Sequence, residues 1–116
     1  MITVSPNTKV YIHTTFIDFR NGIDGICAIC KYQLQRDPFS GAMFIFTNRG
    51  RTALKILFYD GQGFWVYHKR LSKGKFKWWP SGDTSLEMAS KELNVLLWNG
   101  DPTKSKMQED WRSILT

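Results

Sequence analysis

Basic side chains are concentrated in one part of the sequence. Between Arg49 and Lys77 the chain has eight Lys or Arg residues and one acid, Asp60, so this segment carries a net charge of +7. The whole chain carries +6, and the remaining residues are therefore close to neutral. Cations at this density can neutralise nucleic-acid phosphates, which releases counterions and gives affinity without sequence preference. The segment predicts a nucleic-acid surface, although a solvated basic face that only keeps the protein soluble would have the same composition.

Two tryptophans add an aromatic component to the basic segment. Trp78 and Trp79 follow Lys75 and Lys77 at the end of a predicted strand, so we expect one ring to cover the core and the other to stand among cations. An exposed ring of this kind can stack against a base. The residues predicted to bind nucleic acid are Arg49, Arg51, Lys55, Lys69, Arg70, Lys73, Lys75, Lys77 and Trp78.

Cys27 and Cys30 form a C-x-x-C pair, the other motif with chemical potential. A closed zinc site needs about four ligands, and the only histidines, His13 and His68, fall in different predicted elements. Two cysteines are too few for a disulfide framework, and free cysteine in an apolar helix packs as a small hydrophobe. We therefore predict two buried core thiols, no metal site and no cofactor.

Catalysis has little support in the sequence. Two-metal phosphoryl transfer would need three gathered acids, for which Asp18, Asp24, Asp37 and Asp60 are the candidates. Asp37 and Asp60 precede Pro and Gly in turns, where such side chains stabilise the local backbone. The sequence shows neither a recognisable nucleophile-and-histidine signature nor a glycine-rich phosphate loop. We predict that the protein is not an enzyme.

A strand and a helix are predicted before the basic segment. The run KVYIHTT alternates, which predicts a first strand with Val10 and Ile12 on one side. Apolar residues then recur at three- and four-residue intervals, which predicts a helix with Asp18 near its start. This helical face consists of Ile23, Ile26, Cys27, Cys30 and Leu34.

From Ala42 the sequence period changes to two and β-forming residues dominate. AMFIFTN, TALKILFYD and GFWVYHKRL are separated by the turn signals NRGR and DGQG, and GKFKWWP predicts a short fourth strand that Pro80 stops. Such short turns join antiparallel neighbours, so residues 42–79 are expected to form one antiparallel meander whose cations share a connected surface. The aromatic residues expected in its core are Phe44, Phe46, Phe58, Phe64 and Trp65.

The C-terminal part predicts a second helix and completes the fold class. Thr84 and Glu87 have capping-box spacing, and Gly100 is placed to end the helix. Its apolar face is Leu86, Leu93, Leu96 and Leu97. The predicted class is α+β, an antiparallel β-meander of about four to five strands with two flanking helices.

Domain organisation and location follow from the same patterns. Residues 1–100 are predicted to form a single α+β domain, and residues 101–116 a C-terminal extension that is either a short helix or a loose tail. No window is apolar enough to cross a membrane and the start lacks the zones of a signal peptide. We expect a cytoplasmic protein.

The run from DFRNGIDGI through DPFSGAMFIFTNRGRTALKILFYDGQGFWVYHKRLSKGKFKWWP resembles the small accessory protein, called TnpB or second open reading frame, of the IS-66 class of bacterial insertion sequences. The resemblance extends from about Val10 to Pro80, and the spacing from DPFSG through KRL to WP is hard to obtain by chance. The sequence departs from the family pattern at Asn21, where lysine is common, and at the doubled tryptophan, where one is usual. The matching positions are Asp18, Arg20, Gly25, Phe39, Ser40, Gly41, Phe44, Phe46, Asn48, Lys55, Asp60, Gly63, Lys69, Arg70, Leu71, Gly74, Phe76 and Pro80.

The resemblance implies a role in transposition beside a separate, larger transposase that carries the acidic catalytic residues. Together with the basic segment, it predicts a non-catalytic accessory protein that binds DNA, with the element ends as the expected DNA partner. The alternative is a protein-interaction module that docks on the transposase without contacting DNA itself. The apolar side chains available for such docking are Trp98, Trp111, Ile114 and Leu115.

Overall fold

The computed structural model describes residues 5–104. The strands in this part of the chain are β1 (Val10–His13), β2 (Met43–Thr47), β3 (Ala53–Tyr59), β4 (Phe64–Arg70) and β5 (Ser85–Met88). The helices are α1 (Ile23–Tyr32) and α2 (Ser90–Leu97), followed by a short 3-10 helix at Pro102–Lys104. All five strands form one sheet in the order β4-β3-β2-β1-β5. The predicted α+β class with two helices is confirmed.

The sheet is mostly antiparallel, with one parallel pair. The pairs β2–β3 and β3–β4 are antiparallel, which confirms the meander expected within residues 42–79 for these three strands. The sheet is not antiparallel throughout, because β1, which precedes the meander, runs parallel to β2. The connection between them contains α1, and a parallel pair needs a crossover of this length. On its other edge β1 pairs antiparallel with β5.

Both faces of the sheet are covered by apolar side chains. Val10 and Ile12 of β1 belong to one core cluster together with Leu93 and Leu96 of α2. The alternate side chain, Tyr11, belongs to a second cluster on the opposite face. That second cluster contains the α1 residues Ile26 and Cys30. The helices therefore lie on opposite faces, and the middle of the sheet has no face open to a partner.

The aromatic residues divide between core and surface. Phe44 and Phe46 are fully buried, as predicted. Trp65 is 53% exposed, so its predicted place in the core is wrong. Its ring stacks on Tyr67 with centroids 6.0 Å apart, and its indole N–H donates to a carboxylate oxygen of Asp60 at 2.8 Å. β4 is an edge strand, so its outward side chains receive less cover than those of β2.

Asp18 lies a few residues before α1, near the helix start as expected, but it does not cap the helix. The N-cap is Gly22 and has no side-chain hydrogen bond. The carboxylate of Asp18 instead accepts hydrogen bonds from the guanidinium and the backbone N–H of Arg20, and these bonds lower the pKa of Asp18 to about 2. The exposed pair braces the loop between β1 and α1.

The two cysteines lie on α1, as predicted, but only one is fully buried. Cys30 has no exposed surface and packs in the α1-side core, whereas Cys27 is half-buried at its edge. Burial raises the pKa of Cys30 to about 12 and also raises that of Cys27. Both groups are therefore neutral thiols at ordinary pH, in agreement with packing rather than reactivity.

The region predicted as the start of the second helix is a strand. Residues Ser85–Met88 form β5, and α2 begins only at Ser90, after the N-cap Ala89. The Thr84 and Glu87 spacing therefore does not mark a capping box. Leu86 is exposed on β5, so it also leaves the predicted helical face. The backbone groups on the outer edge of β1 need hydrogen-bonding partners. Pairing of residues 85–88 with this edge is therefore favoured over a helix start at Thr84.

The segment GKFKWWP is not a strand, which corrects the prediction of a fourth meander strand. Phe76 and Trp79 are both buried in the α2-side core, at a spacing of three rather than two. The indole N–H of Trp79 donates to the backbone carbonyl of His13 at 2.9 Å. The segment therefore has no regular secondary structure, and the buried rings of Phe76 and Trp79 hold it against the sheet.

The end of α2 is closed by its backbone. The N–H of Gly100 donates to the carbonyl of Val95 at 2.8 Å, and that of Asn99 donates to Leu96 at 2.9 Å. Asn99 has a φ of +61°, so Asn99, and not Gly100, is the left-handed residue of this Schellman motif.

Residues 105–116 contain most of the predicted C-terminal extension and lie outside the described residues. Within residues 5–104, no helix is long and apolar enough to cross a membrane.

Candidate nucleic-acid interface

The loops that follow β1, β2 and β4 meet at one end of the sheet. β1 and β2 are parallel, so both end there, and the antiparallel β3 begins there. The last residue of β4, Arg70, pairs with the first residue of β3, Ala53. β5 also begins at this end, since Ser85 pairs with His13. The topology therefore gathers segments 14–22, 48–52 and 71–84.

The tip between β2 and β3 is a turn closed by side-chain hydrogen bonds. The side-chain oxygen of Asn48 accepts hydrogen bonds from the backbone N–H groups of Thr52 and Ala53, at 2.9 and 3.2 Å. Arg51 adopts a φ of +56°, a conformation that the surrounding hydrogen bonds hold in place. Arg49 and Arg51 lie in this hydrogen-bonded turn and are both exposed.

The lysine-rich loop after β4 is fastened to this tip. The N–H of Leu71 donates to the carbonyl of Thr52, and that of Phe76 donates to the carbonyl of Arg51, each at 2.8 Å. From the other side, the amide of Asn99 accepts from the N–H of Lys77 at 2.7 Å and donates to the carbonyl of Lys75 at 3.2 Å. The loop is therefore held between the tip and the end of α2.

Six of the predicted cations are brought together by this arrangement. All six are exposed, and within residues 5–104 none of them forms an ion pair with a carboxylate. We call this surface the basic end, and it consists of Arg49, Arg51, Arg70, Lys73, Lys75 and Lys77. Uncompensated positive charge of this density attracts polyanions.

Lys55 and Lys69, which were expected to share a connected surface with the other cations, do not join the basic end. In the β3–β4 register Lys55 lies opposite His68, whereas Lys69 lies opposite Leu54, on the other face. The Lys55 ammonium donates to the carbonyl of Phe19 at 2.8 Å and lies 4.9 Å from the centroid of that ring. It thus holds the β1–α1 loop against the sheet.

Lys69 is occupied in the same way on the opposite face. Its ammonium hydrogen-bonds to the carbonyl of Leu97 and lies 5.4 Å from the ring centroid of Trp98. A cation at the C-terminus of a helix is favoured by the helix dipole and satisfies a carbonyl that has no partner within the helix. Lys69 therefore fastens α2 to β4.

The two tryptophans of the basic segment have different environments. Trp79 is buried in the core, while Trp78 is half-buried and packs against the same cluster. The expectation that one ring covers the core is confirmed for Trp79. Trp78 retains some exposed surface next to Lys77, although less than a free stacking platform would offer.

Beside the basic end lies a cleft of about 340 Å³ that the sequence did not reveal. We call it the arginine cleft. Its lining combines two cations, hydroxyl groups and aromatic rings, and no acidic residue of the described range 5–104 is part of it. The lining residues are Thr14, Thr15, Phe16, Thr47, Arg49, Arg51, Trp79, Ser81 and Gly82. The available signal in the sequence was Phe16 directly after two threonines, but only the parallel β1–β2 pairing shows that this segment meets the tip.

No group of three or more His, Cys, Asp and Glu side chains suited to a metal ion occurs within residues 5–104. Two of the acids considered for such a site have turn roles, as predicted. Asp60 accepts hydrogen bonds from the N–H groups of Gln62 and Gly63, which lower its pKa. Asp37 accepts from the N–H of Phe39 at 2.9 Å.

Comparison with known proteins places the chain in a family. It is 32% identical over 106 residues to the uncharacterized protein y4jC of Sinorhizobium fredii, covering 91% of each chain. It is 30% identical over 112 residues to the uncharacterized protein y4hO of the same organism, covering 97% of this chain and 96% of the other. No solved structure matches. Residues 8–107 match the family model described as IS66 Orf2 like protein, and the chain therefore belongs to this accessory family of insertion sequences.

Proposed function

We propose that the protein is a non-catalytic accessory factor of insertion-sequence transposition that binds DNA through the basic end. The observation that carries this proposal is the fastening of the lysine-rich loop to the β2–β3 tip by the bonds Leu71 to Thr52 and Phe76 to Arg51. Without these bonds the cations would sit on two independent loops. With them, arginine and lysine side chains from both loops can contact neighbouring phosphates of one duplex.

The basic end suits phosphate contacts better than base readout. Its cations come from loops, and within residues 5–104 none of the six is held by a carboxylate. In the part of the chain that the structure describes, no helix or strand protrudes there to enter a groove, since α1 and α2 are packed on the sheet faces. Such a surface gives affinity that depends strongly on salt and weakly on sequence. Recognition of element ends would then require the transposase or the shape of the DNA.

The test is a titration of the purified protein with element-end duplex DNA and unrelated duplex DNA at several salt concentrations. For the double variant Lys73→Ala, Lys75→Ala, affinity for both DNAs is expected to fall by a similar factor. The slope of log K against log salt is expected to decrease in magnitude by about 1.8, which is roughly 0.9 for each phosphate that the variant no longer neutralises.

A matched control removes the same charge at the opposite end of the sheet. Lys9 precedes β1, and Lys31 lies in the last turn of α1, so both are remote from the basic end. The variant Lys9→Ala, Lys31→Ala is expected to keep the wild-type salt slope. Equal slopes for wild type and both double variants, or no salt-dependent affinity at all, would refute direct DNA binding through this surface.

A second candidate function, docking on the transposase, has its own observation. A groove of about 310 Å³ lies between β3, β4 and the end of α2, lined mainly by apolar side chains that include Leu54, Ile56, Tyr67 and Leu97. Trp98 stands at this groove and is 69% exposed. Exposed apolar patches of this kind are typical of protein interfaces. The docking function would lead if the purified protein bound transposase but no DNA.

A further inference from the structure

The arginine cleft has the composition of an anion site. Arg49 and Arg51 enter it from the β2–β3 tip, and Ser81 and Gly82 enter from the segment before β5. The hydroxyls of Thr14 and Thr47 already donate to backbone carbonyls. Those of Thr15 and Ser81 make no hydrogen bond within residues 5–104, so they can donate to a bound group.

An aromatic ring lies beside these donors. Phe16 is 50% exposed, and the guanidinium carbon of Arg49 lies 5.8 Å from its ring centroid. Exposure of half a phenylalanine is unfavourable in water unless something covers it. A ligand that has both a phosphate and a flat apolar face would satisfy the arginines and the ring together.

A nucleotide is such a ligand, and the cleft suits one in which the base is unpaired. A base inside a duplex is covered by its neighbours and cannot offer its face to Phe16, whereas an unpaired base can stack on an aromatic side chain. The volume of about 340 Å³ lies within the range typical of small-ligand sites. Two residues that line the cleft, Arg49 and Arg51, also belong to the basic end.

We propose that the arginine cleft binds one unpaired nucleotide of a DNA strand, with its phosphate on Arg49 and Arg51 and its base on Phe16. This proposal rests on the proposed DNA-binding function and adds a preference for DNA that has a single-stranded end. A duplex held by the basic end would thus place a strand terminus in the adjacent cleft.

The experiment measures fluorescence anisotropy with two DNAs, a blunt duplex and the same duplex extended by a short 3′ single strand. The wild-type protein is expected to bind the extended duplex more tightly, by roughly 5- to 150-fold, the range of one base stacked on an aromatic side chain. In Phe16→Ala the ratio of the two dissociation constants is expected to fall to about 1, because the variant has no ring on which a base can stack.

The control variant is Phe39→Ala. Phe39 is also about half exposed, but it packs against Tyr59 and Phe64 at the opposite end of the sheet. This variant is expected to keep the wild-type ratio. Equal binding of both DNAs by the wild-type protein would overturn the cleft proposal and leave duplex binding intact, whereas failure to bind either DNA would overturn both. Retention of the preference in Phe16→Ala would also overturn the cleft proposal.

A second measurement does not depend on the folding of a variant. In a 15N-labelled wild-type protein, a short single-stranded oligodeoxynucleotide is expected to shift the backbone amide resonances of Thr15, Phe16 and Gly82 at lower concentrations than those of the loop 72–75. Shifts confined to the loop would show that single strands bind only to the basic end, which would contradict the proposal.

Discussion

Asn99 has a structural role that a pair of substitutions can divide into its parts. The residue occupies the left-handed position that ends α2, and its side-chain amide makes two hydrogen bonds to the loop of the basic end. Asn99→Ala removes both bonds. It also replaces Asn, which tolerates the left-handed conformation, by an ordinary L-residue for which this conformation costs roughly 1–2 kcal/mol. Asn99→Gly removes the same bonds, but glycine adopts the conformation freely.

The expected magnitudes follow from these two contributions. The hydrogen bonds are exposed, so together they are worth about 1 kcal/mol, the lower end of the usual range for two bonds. Asn99→Ala is expected to lower the free energy of unfolding by about 2 kcal/mol, and Asn99→Gly by less than about 1 kcal/mol. For a chain of this size, the alanine variant should melt roughly 8 °C below the wild type.

Urea unfolding followed by tryptophan fluorescence measures these differences. Asn94→Ala, on the exposed side of α2, is the matched control and is expected to remain within about 0.5 kcal/mol of the wild type. Equal stability of Asn99→Ala and wild type would refute the argument, and equal losses of stability in the alanine and glycine variants would refute its backbone part. In DNA titrations both Asn99 variants should keep the wild-type salt slope, because no cation is removed.

The remaining predictions concern the two cores. Native protein at about pH 8 should react with a thiol reagent at Cys27 and not at Cys30, whose thiol is buried with a raised pKa, and Cys30 should react only on unfolding. The folded pKa of Cys30, about 12, lies above the ordinary value of 9.0. The contribution of this thiol to stability is therefore complete below pH 9.0 and is lost as the pH rises toward 12. Measurements of the free energy of unfolding at alkaline pH would record this loss. Trp79→Phe leaves the carbonyl of His13 without its indole donor and should cost about 1–3 kcal/mol in urea unfolding, whereas a destabilisation as small as that of the half-buried Trp78→Phe would contradict this role.

Local patterns predicted most of the strands and the first helix because their apolar periods coincide with burial. The alternation through β2 and β3 corresponds to side chains in the two core clusters, and the three- and four-residue spacing of Ile26 and Cys30 corresponds to the buried face of α1. The end of α2 was also predicted, although the left-handed residue is Asn99, next to the glycine that the pattern favoured. These features depend on neighbours along the chain, which a sequence displays directly.

The errors arise where distant parts of the chain decide the structure. Residues Ser85–Met88 form a strand because β1 lies next to them, and GKFKWWP is irregular because two of its rings enter the same core. The charge count pointed to the segment that contains the basic end. It could not distinguish Lys55 and Lys69 from the other cations, because their hydrogen bonds to backbone carbonyls form only in the folded chain. The arginine cleft could not be predicted for the same reason, since its residues come from three separate segments of the chain.

The position of β1 between β2 and β5 has a consequence for synthesis of the chain. β1 pairs with β5 through residues as far apart as Val10 and Met88, and closing a loop of this length costs more entropy than forming the β2–β3–β4 meander. While the chain on the ribosome ends before Ser85, one edge of β1 has no partner and the sheet face later covered by α2 remains open. The fold therefore becomes complete only when translation has passed Leu97. Until then the meander exposes apolar side chains on that face, and it has to avoid aggregation through them.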